Sequence, residues 1–278
     1  MANILFIADF FADQICGGGE LNNDALIVKL TQRGHTIRCV NSHRVGSMDI
    51  SRSENIIVSN FVNLSEGVKK DLEGKNYIIY EHDHKYLTNR DPSVYESYQA
   101  PKEHIINRQL YSNANSILCQ TDFHANIVRK NLQLNNIISL GGNMWSEEHF
   151  DLLEKIARGS KDSACAIMQS STPHKGTHKA VRYCEALGLD YVLLPPTDPV
   201  TFLHELGAHS TLIFFPQTPE TLSRIVVEAR MMGLATKTTN NIGAIHEDWF
   251  SMKGIELIDY MRGNNEKIAQ TTLEALNV

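Results

Sequence analysis

Short apolar runs alternate with stretches of helical periodicity along almost the whole chain. The alternation breaks once, near residues 145–162, and then begins again. A run apolar at every position suits a strand buried on both faces, and parallel strands need crossovers long enough to hold a helix. In the first half, strands are expected at 3–8, 36–40, 55–58, 77–80, 116–120 and 137–140, with helices over 20–33, 104–112 and 122–132. The stretch 146–162 reads as a charged connecting helix ending near Gly159 and a polar linker. Strands then follow at 164–168, 191–194, 211–215, 235–238 and 256–258, separated by helices at 177–187, 200–206 and 222–232 and closed by one at 266–276. The expected fold is α/β, with two Rossmann-like doubly wound domains facing one another. Their bounds are 1–145 for the N-terminal domain, 146–162 for the connection and 163–262 for the C-terminal domain. A closing helix follows over 263–278, and packing back on the N-terminal domain is one arrangement open to it.

Charge narrows the partners. Lys and Arg number 26 against 32 Asp and Glu, a net charge of −6. A general nucleic-acid or anionic-membrane binder carries a basic surplus, so no stable binding of either kind is expected. A local basic pocket for a small anion stays open. The five cysteines, Cys16, Cys39, Cys119, Cys165 and Cys184, are scattered and never form a CxxC pair, which argues for a reducing compartment. The opening MANILFIADFF lacks a basic n-region and reads as a buried strand rather than a signal peptide. No segment approaches the ~20 apolar residues of a membrane span. A soluble, cytoplasmic protein is expected.

Ligands of open α/β sheets bind beyond the carboxyl ends of the strands. Four loops there carry chemistry. ICGGGE at 15–20 brings Gly17, Gly18 and Gly19 to a helix start, where backbone N–H groups can approach a phosphate or simply form a turn. The spacing is not GxGxxG, and no acidic residue ends the strand at 36–40, so a nicotinamide dehydrogenase is disfavoured. YEHDHKYL follows a strand. If that strand continues, His82 and His84 share a face with Asp83 on the other, as a hydrogen-bonding or acid/base group or as a structural cluster. It contains no HExxH and no obvious third metal ligand. In SSTPHKGTHKA, at 170–180, Lys175 and the backbone at Gly176 can hold a diphosphate or form a solvated turn. In FFPQTPETLSRIVVEARMMGL, Pro219 suits a helix start, and Glu220 and Glu228 stand eight positions apart. On one helix that spacing is ~12 Å along the axis, the scale of the distance between the sugar and ribose ends of a nucleotide-sugar. Glu228 inside so apolar a run is either functional or a paired, buried carboxylate.

Taken in order, these residues resemble the GT-B glycosyltransferases, in particular the retaining family 4 (glycosyl transferases group 1). GGGELNNDALIVKLTQRGHTI is similar to the family's opening glycine loop, helix and second strand, and HKGTHKAV to its KG loop. SILCQTDFHANIV and ISLGGN are similar to the elements before the interdomain crossing, and PETLSRIVVEARMMGL to the E-x7-E motif. The resemblance implies two domains facing across a cleft, in a compact version, and transfer of a hexose from a UDP- or GDP-type nucleoside-diphosphate sugar to an acceptor hydroxyl. Transfer would proceed with retention and need neither metal nor other cofactor. It further implies that Gly17–Gly19 approach the donor diphosphate or the acceptor, and that Lys175 neutralises the diphosphate. Glu220 would contact donor-sugar hydroxyls, the backbone at Thr221, Leu222 and Ser223 the sugar or phosphates, and Glu228 the ribose. His82 is the best match for the cleft histidine; Asp83, His84, His174 and Arg224 are further candidates. Two departures stand out: the chain is short for the family, and Ser170 stands where the family usually has an arginine, with His174, His178 or Arg224 as substitute cations. The alternatives are a GT-B-like protein that binds a nucleotide or sugar phosphate without turnover, and a sugar-nucleotide epimerase. The acceptor and the oligomeric state are left open.

Overall fold

The computed structural model describes residues 1–278. The chain divides into two units, Met1–Trp145 with Asn264–Val278, and Ser146–Gly263. The first runs β1 (Asn3–Ala8), α1 (Gly18–Gln32), β2 (Thr36–Asn41), α2 (Ser47–Arg52), β3 (Asn55–Val58), α3 (Glu66–Asp71), β4 (Asn76–Glu81), α4 (Arg108–Asn113), β5 (Ile117–Cys119), α5 (Asp122–Leu132) and β6 (Ile137–Ser139). The pairings of its sheet are all parallel, in the order β2-β1-β3-β4-β5-β6. Alternate residues of the central strands enter two separate cores. Ile4, Phe6, Ile57, Ile78 and Tyr80 pack on one face, and Leu5, Ile7, Ile56, Tyr77 and Ile79 on the other. Both faces are buried, which is why these strands are apolar at nearly every position.

The second unit holds α6 (Glu147–Ala157), β7 (Asp162–Met168), α7 (Thr177–Leu187), β8 (Tyr191–Leu194), α8 (Pro199–Gly207), β9 (His209–Phe214), α9 (Arg224–Met231), β10 (Ala235–Thr238) and the start of α10 (Ile255–Ala275). Its sheet is also parallel, ordered β10-β9-β7-β8. Side-chain caps set several helix starts: Ser146 accepts from His149 N, Thr121 from His124 N, and Asp198 from Thr201 N ahead of Pro199. The chain crosses between the units after Trp145 and again after Gly263, and the crossings are tied to each other. Asn265 Nδ2 donates to Trp145 O at 2.7 Å, and Trp145 N donates to Asn265 Oδ1 at 3.4 Å. No helix is long and apolar enough to cross a membrane.

Three expected elements differ. Residues 256–258 are not a strand but the first turn of α10, which the left-handed Gly254 (φ +63°) precedes. The helix expected from 104 begins at Arg108, because Asn107 takes φ +55° at its cap. The helix expected from 222 begins at Arg224, because residues 220–222 spend their backbone groups elsewhere, as described below. The short helices α2 and α3 carry too few turns to register as a period.

Candidate functional site

Strand order in the second unit reverses between β7 and β9, so the loops leaving their carboxyl ends, 169–176 and 215–223, meet at the switch point. They are sewn together: Gln217 N donates to His174 O at 2.8 Å and Gln217 Nε2 to Pro173 O at 2.9 Å. Gly176 has φ +76°, and a Cβ there would run into the carbonyl of Phe215, so close approach of the two loops requires glycine. Across this seam Lys175 Nζ donates to Glu220 Oε1 at 2.7 Å, with the side chains 33% and 19% exposed.

Glu220 is held by a bridge to a third loop. Its N donates to Asn241 O at 2.8 Å, Gly243 N donates to its O at 2.8 Å, and Ala244 N to Leu222 O at 3.2 Å. Thr221 is half-buried and Leu222 buried. Ser223 sits in the left-handed region at φ +76°, with a buried Oγ that meets no hydrogen-bond partner. Glu220 is therefore not on α9, and the axial estimate of its distance from Glu228 does not apply. Glu228 lies inside α9, its Oε1 3.3 Å from Arg224 and 3.2 Å from His149 Nε2. The histidine contact has ion-pair distance without hydrogen-bond alignment, since His149 Nε2 has no aligned partner. His174 and His178 are exposed.

In the first unit strand order reverses between β1 and β3. None of Gly17–Gly19 has a positive φ; Gly18 opens α1, and the carboxylate of Glu20 lies against Gly17 at that helix start. Beyond β4, His82 Nε2 donates to Asn23 Oδ1 at 2.7 Å, and Gln120 Nε2 donates to its Nδ1 at 2.7 Å. An amide oxygen only accepts and an amide NH2 only donates, an arrangement that the Nε2–H tautomer of the ring satisfies. His82 and His84 do not share a strand face, because β4 ends at Glu81 and the chain turns. His84 is buried beside Tyr86 Oη (3.0 Å) and the His124 ring (5.1 Å). Lys85 is buried too, donating to Glu81 Oε1 at 2.5 Å and to Asp83 Oδ1 at 2.7 Å, while Arg90 approaches Asp83 at 3.4 Å. Burial opposes the charge of Asp83, but the charge and hydrogen bond of Lys85, with Arg90, outweigh it and hold the carboxyl below its usual range. No three or more His, Cys, Asp or Glu side chains gather where a metal ion would be held. A hollow of about 590 Å³ opens at the amino ends of β1 and β2, away from these loops.

No protein-family model matches the chain. No curated protein matches it either. Solved structures do. An alpha-glucosyltransferase in complex with UDP and a 13-mer DNA is 9% identical, with TM-score 0.55 over 99% of this chain and 95% of that one. HepE of Anabaena, in complex with UDP and glucose, is 14% identical, with TM-score 0.53 over 99% and 92%. A glycosyltransferase from Rickettsia africae is 13% identical, with TM-score 0.60 over 99% and 93%. The likeness spans both units. The chain has the α/β fold of these glycosyltransferases.

Sequence reasoning singled out Lys175, Glu220 and Glu228 but not His149, Asn23 or Gln120. His149 stands in a charged helix with no motif around it, and Asn23 and Gln120 are ordinary amides until folding brings them to His82. A buried pair such as Asn22–Asn23, within an otherwise apolar stripe of α1, was the one available signal.

Proposed function

We propose that the chain is a glycosyltransferase moving a hexose from a UDP- or GDP-type nucleoside-diphosphate sugar to an acceptor hydroxyl, with retention and without a metal. The observation that carries this is the Lys175–Glu220 pair, 2.7 Å apart at the switch point of the second sheet. Without donor the two side chains neutralise each other. A bound diphosphate takes up the Lys175 charge and the N–H groups near Gly176, and releases Glu220 to accept hydrogen bonds from sugar hydroxyls. Lys175 then offsets the charge that builds on the departing diphosphate, an electrostatic form of catalysis. The backbone at Thr221–Ser223 faces the sugar and phosphates, and Glu228, oriented by Arg224 and His149, clamps the ribose. In the first unit Gly17–Gly19 approach the diphosphate or acceptor, and His82 contacts the sugar. The fold shared with UDP-bound glycosyltransferases supports the reading. All five cysteines are free thiols, which fits a cytoplasmic setting.

The test is a thermal-shift screen, without metal, against UDP, GDP, ADP and their hexose conjugates, followed by a sugar-release assay. One nucleotide series is expected to stabilise the protein and its conjugate to be slowly hydrolysed. Lys175→Ala and Glu220→Ala should each lower turnover by about 100-fold or more, with melting nearly unchanged; undiminished turnover in both overturns the assignment. EDTA should leave the rate intact, and a loss restored by a divalent ion would overturn metal independence.

A second reading, donor binding without turnover, is favoured by Ser170. Its N donates to Thr177 Oγ1 at 3.1 Å and its Oγ accepts from Thr172 N at 3.2 Å. The position closes the loop and supplies no cation. Stabilisation by a nucleotide with no sugar release, even with trial acceptors, would decide for it.

A further inference from the structure

A cavity of about 510 Å³ opens in the first unit among the loop after β3, α3, the segment after β4 and residues 106–107. That volume is in the range of small-molecule sites. Its wall includes Lys69 from α3 and Lys85 and Arg90 from the segment after β4, in a chain whose net charge is −6. Lys85 forms the base: it is 2% exposed, and two of its three N–H groups are taken by Glu81 and Asp83. Lys69 and Arg90 stand nearer solvent. The one acid on the wall is Glu66, 81% exposed and 2.6 Å from Lys69, a surface pairing that an incoming anion displaces at little cost.

Asn107 ties wall to base, its Oδ1 accepting from Lys69 Nζ at 2.9 Å and its Nδ2 donating to Lys85 O at 2.9 Å. Asn107 and Arg90 both hold φ +55°, a left-handed conformation that non-glycine residues keep only where their surroundings enforce it. Val62 and Ile106, 53% and 39% exposed, add apolar surface beside the cations.

We propose that this cavity binds a small phosphorylated molecule, its phosphate between Lys69 and Arg90 over the Lys85 ammonium and its carbon skeleton against Val62 and Ile106. Three cations around one hollow, Arg90 also 3.4 Å from Asp83, suit a doubly charged group better than a single carboxylate. The cavity lies beyond the carboxyl ends of β3 and β4, the side on which open α/β sheets take their ligands. On the transferase reading its ligand is the acceptor; the binding itself does not rest on that reading.

The test is calorimetric titration of the full-length protein with inorganic phosphate, glucose 6-phosphate, glucuronate and glucose, with no donor present. Glucose 6-phosphate should bind at least tenfold more tightly than glucose or glucuronate. Lys69→Ala and Arg90→Ala should each weaken it at least tenfold, while Lys70→Ala and Lys175→Ala leave it unchanged. Loss in Lys175→Ala with retention in Lys69→Ala and Arg90→Ala would place the phosphate on the loops of the second unit and overturn the proposal. So would no preference for the phosphorylated sugar. Binding of a single-stranded oligonucleotide or of anionic vesicles, but of none of the small probes, would overturn it in favour of a polymer or a lipid surface. Phosphate binding that depends on Lys69 and Arg90, together with no response to any nucleotide, would uphold the cavity and reject the transferase.

Discussion

His124 sits among a backbone carbonyl, a second imidazole and a buried ammonium. Its Nε2 lies 2.9 Å from Asp83 O, its Nδ1 accepts from Gln120 N at 3.4 Å, and the His84 ring is 5.1 Å away. Burial, aided by the Lys85 charge and only partly offset by the Asp83 carbonyl and carboxylate, lowers its pKa to about 4. Burial and His124 push His84 well down in the same way. Both rings are thus neutral in the folded chain at pH 7. The unfolded chain, titrating near 6.5, binds more protons between that value and about 4. Stability is therefore full above about pH 6.5 and falls as the pH drops through this window. His124 alone accounts for roughly 2 kcal/mol between pH 7.5 and pH 5. Urea unfolding at the two pH values measures it, and His124→Gln should remove that part of the slope. An unchanged slope in the variant would show that the ring is protonated in the native state at little cost. None of this was legible in the sequence, where His124 lies in an ordinary helical stretch; its partners come from β4 and the turn beyond. Lys175, Glu220 and Glu228 were legible because motif spacing marks them, and spacing survives without knowledge of the fold.

At the scale of elements, two left-handed glycines of the second unit separate backbone strain from collision. Gly176 (φ +76°) lies under the Phe215 carbonyl, whereas Gly188 (φ +62°) ends α7 with nothing near its missing Cβ. Gly188→Ala pays only for the conformation, about 1 kcal/mol. Gly176→Ala also forces the loop after β7 away from the loop after β9, for roughly 3 kcal/mol in all and a loss of about 10 °C in melting temperature. Calorimetry of both variants checks this; equal losses would mean that the loops part freely. The same seam explains where element reading failed. The strands of the first sheet and the βαβ opening were readable because burial on both faces writes itself as an unbroken apolar run. The start of α9 was not, because Glu220 and Leu222 bond to residues 241–244, and no local pattern announces a partner some twenty positions on. Residues 256–258 misled for the opposite reason: three residues cannot distinguish period 2 from period 3.6.

For the whole molecule, α10 belongs to both units, and each half carries its own buried side chains. Leu257 and Ile258 lie in the second unit, and Ile268, Ala269 and Leu273, with Leu276 just past the helix, in one core of the first. The later half and the residue after it are also fastened by hydrogen bonds, with Arg33 Nη2 donating to Glu266 Oε2 at 2.7 Å and Asn76 Nδ2 to Leu276 O at 2.7 Å. Truncating a buried Ile or Leu to Ala costs about 2–5 kcal/mol, a large share of the ~5–15 kcal/mol by which a domain is stable. One helix thus offers two substitutions with separate targets. Ile268→Ala with Leu273→Ala should lower hydrogen-exchange protection in β1, β3 and β4 and leave β7 and β9 near wild type, while Leu257→Ala with Ile258→Ala should do the reverse. Between the two pairs the helix passes through Gly263, Asn264 and Asn265, weak helix formers at the boundary of the two units. If either double variant released both sheets together, the two units would have to unfold as one cooperative body, and the break in the sequence pattern near residue 145 would mark a boundary of topology without being one of stability.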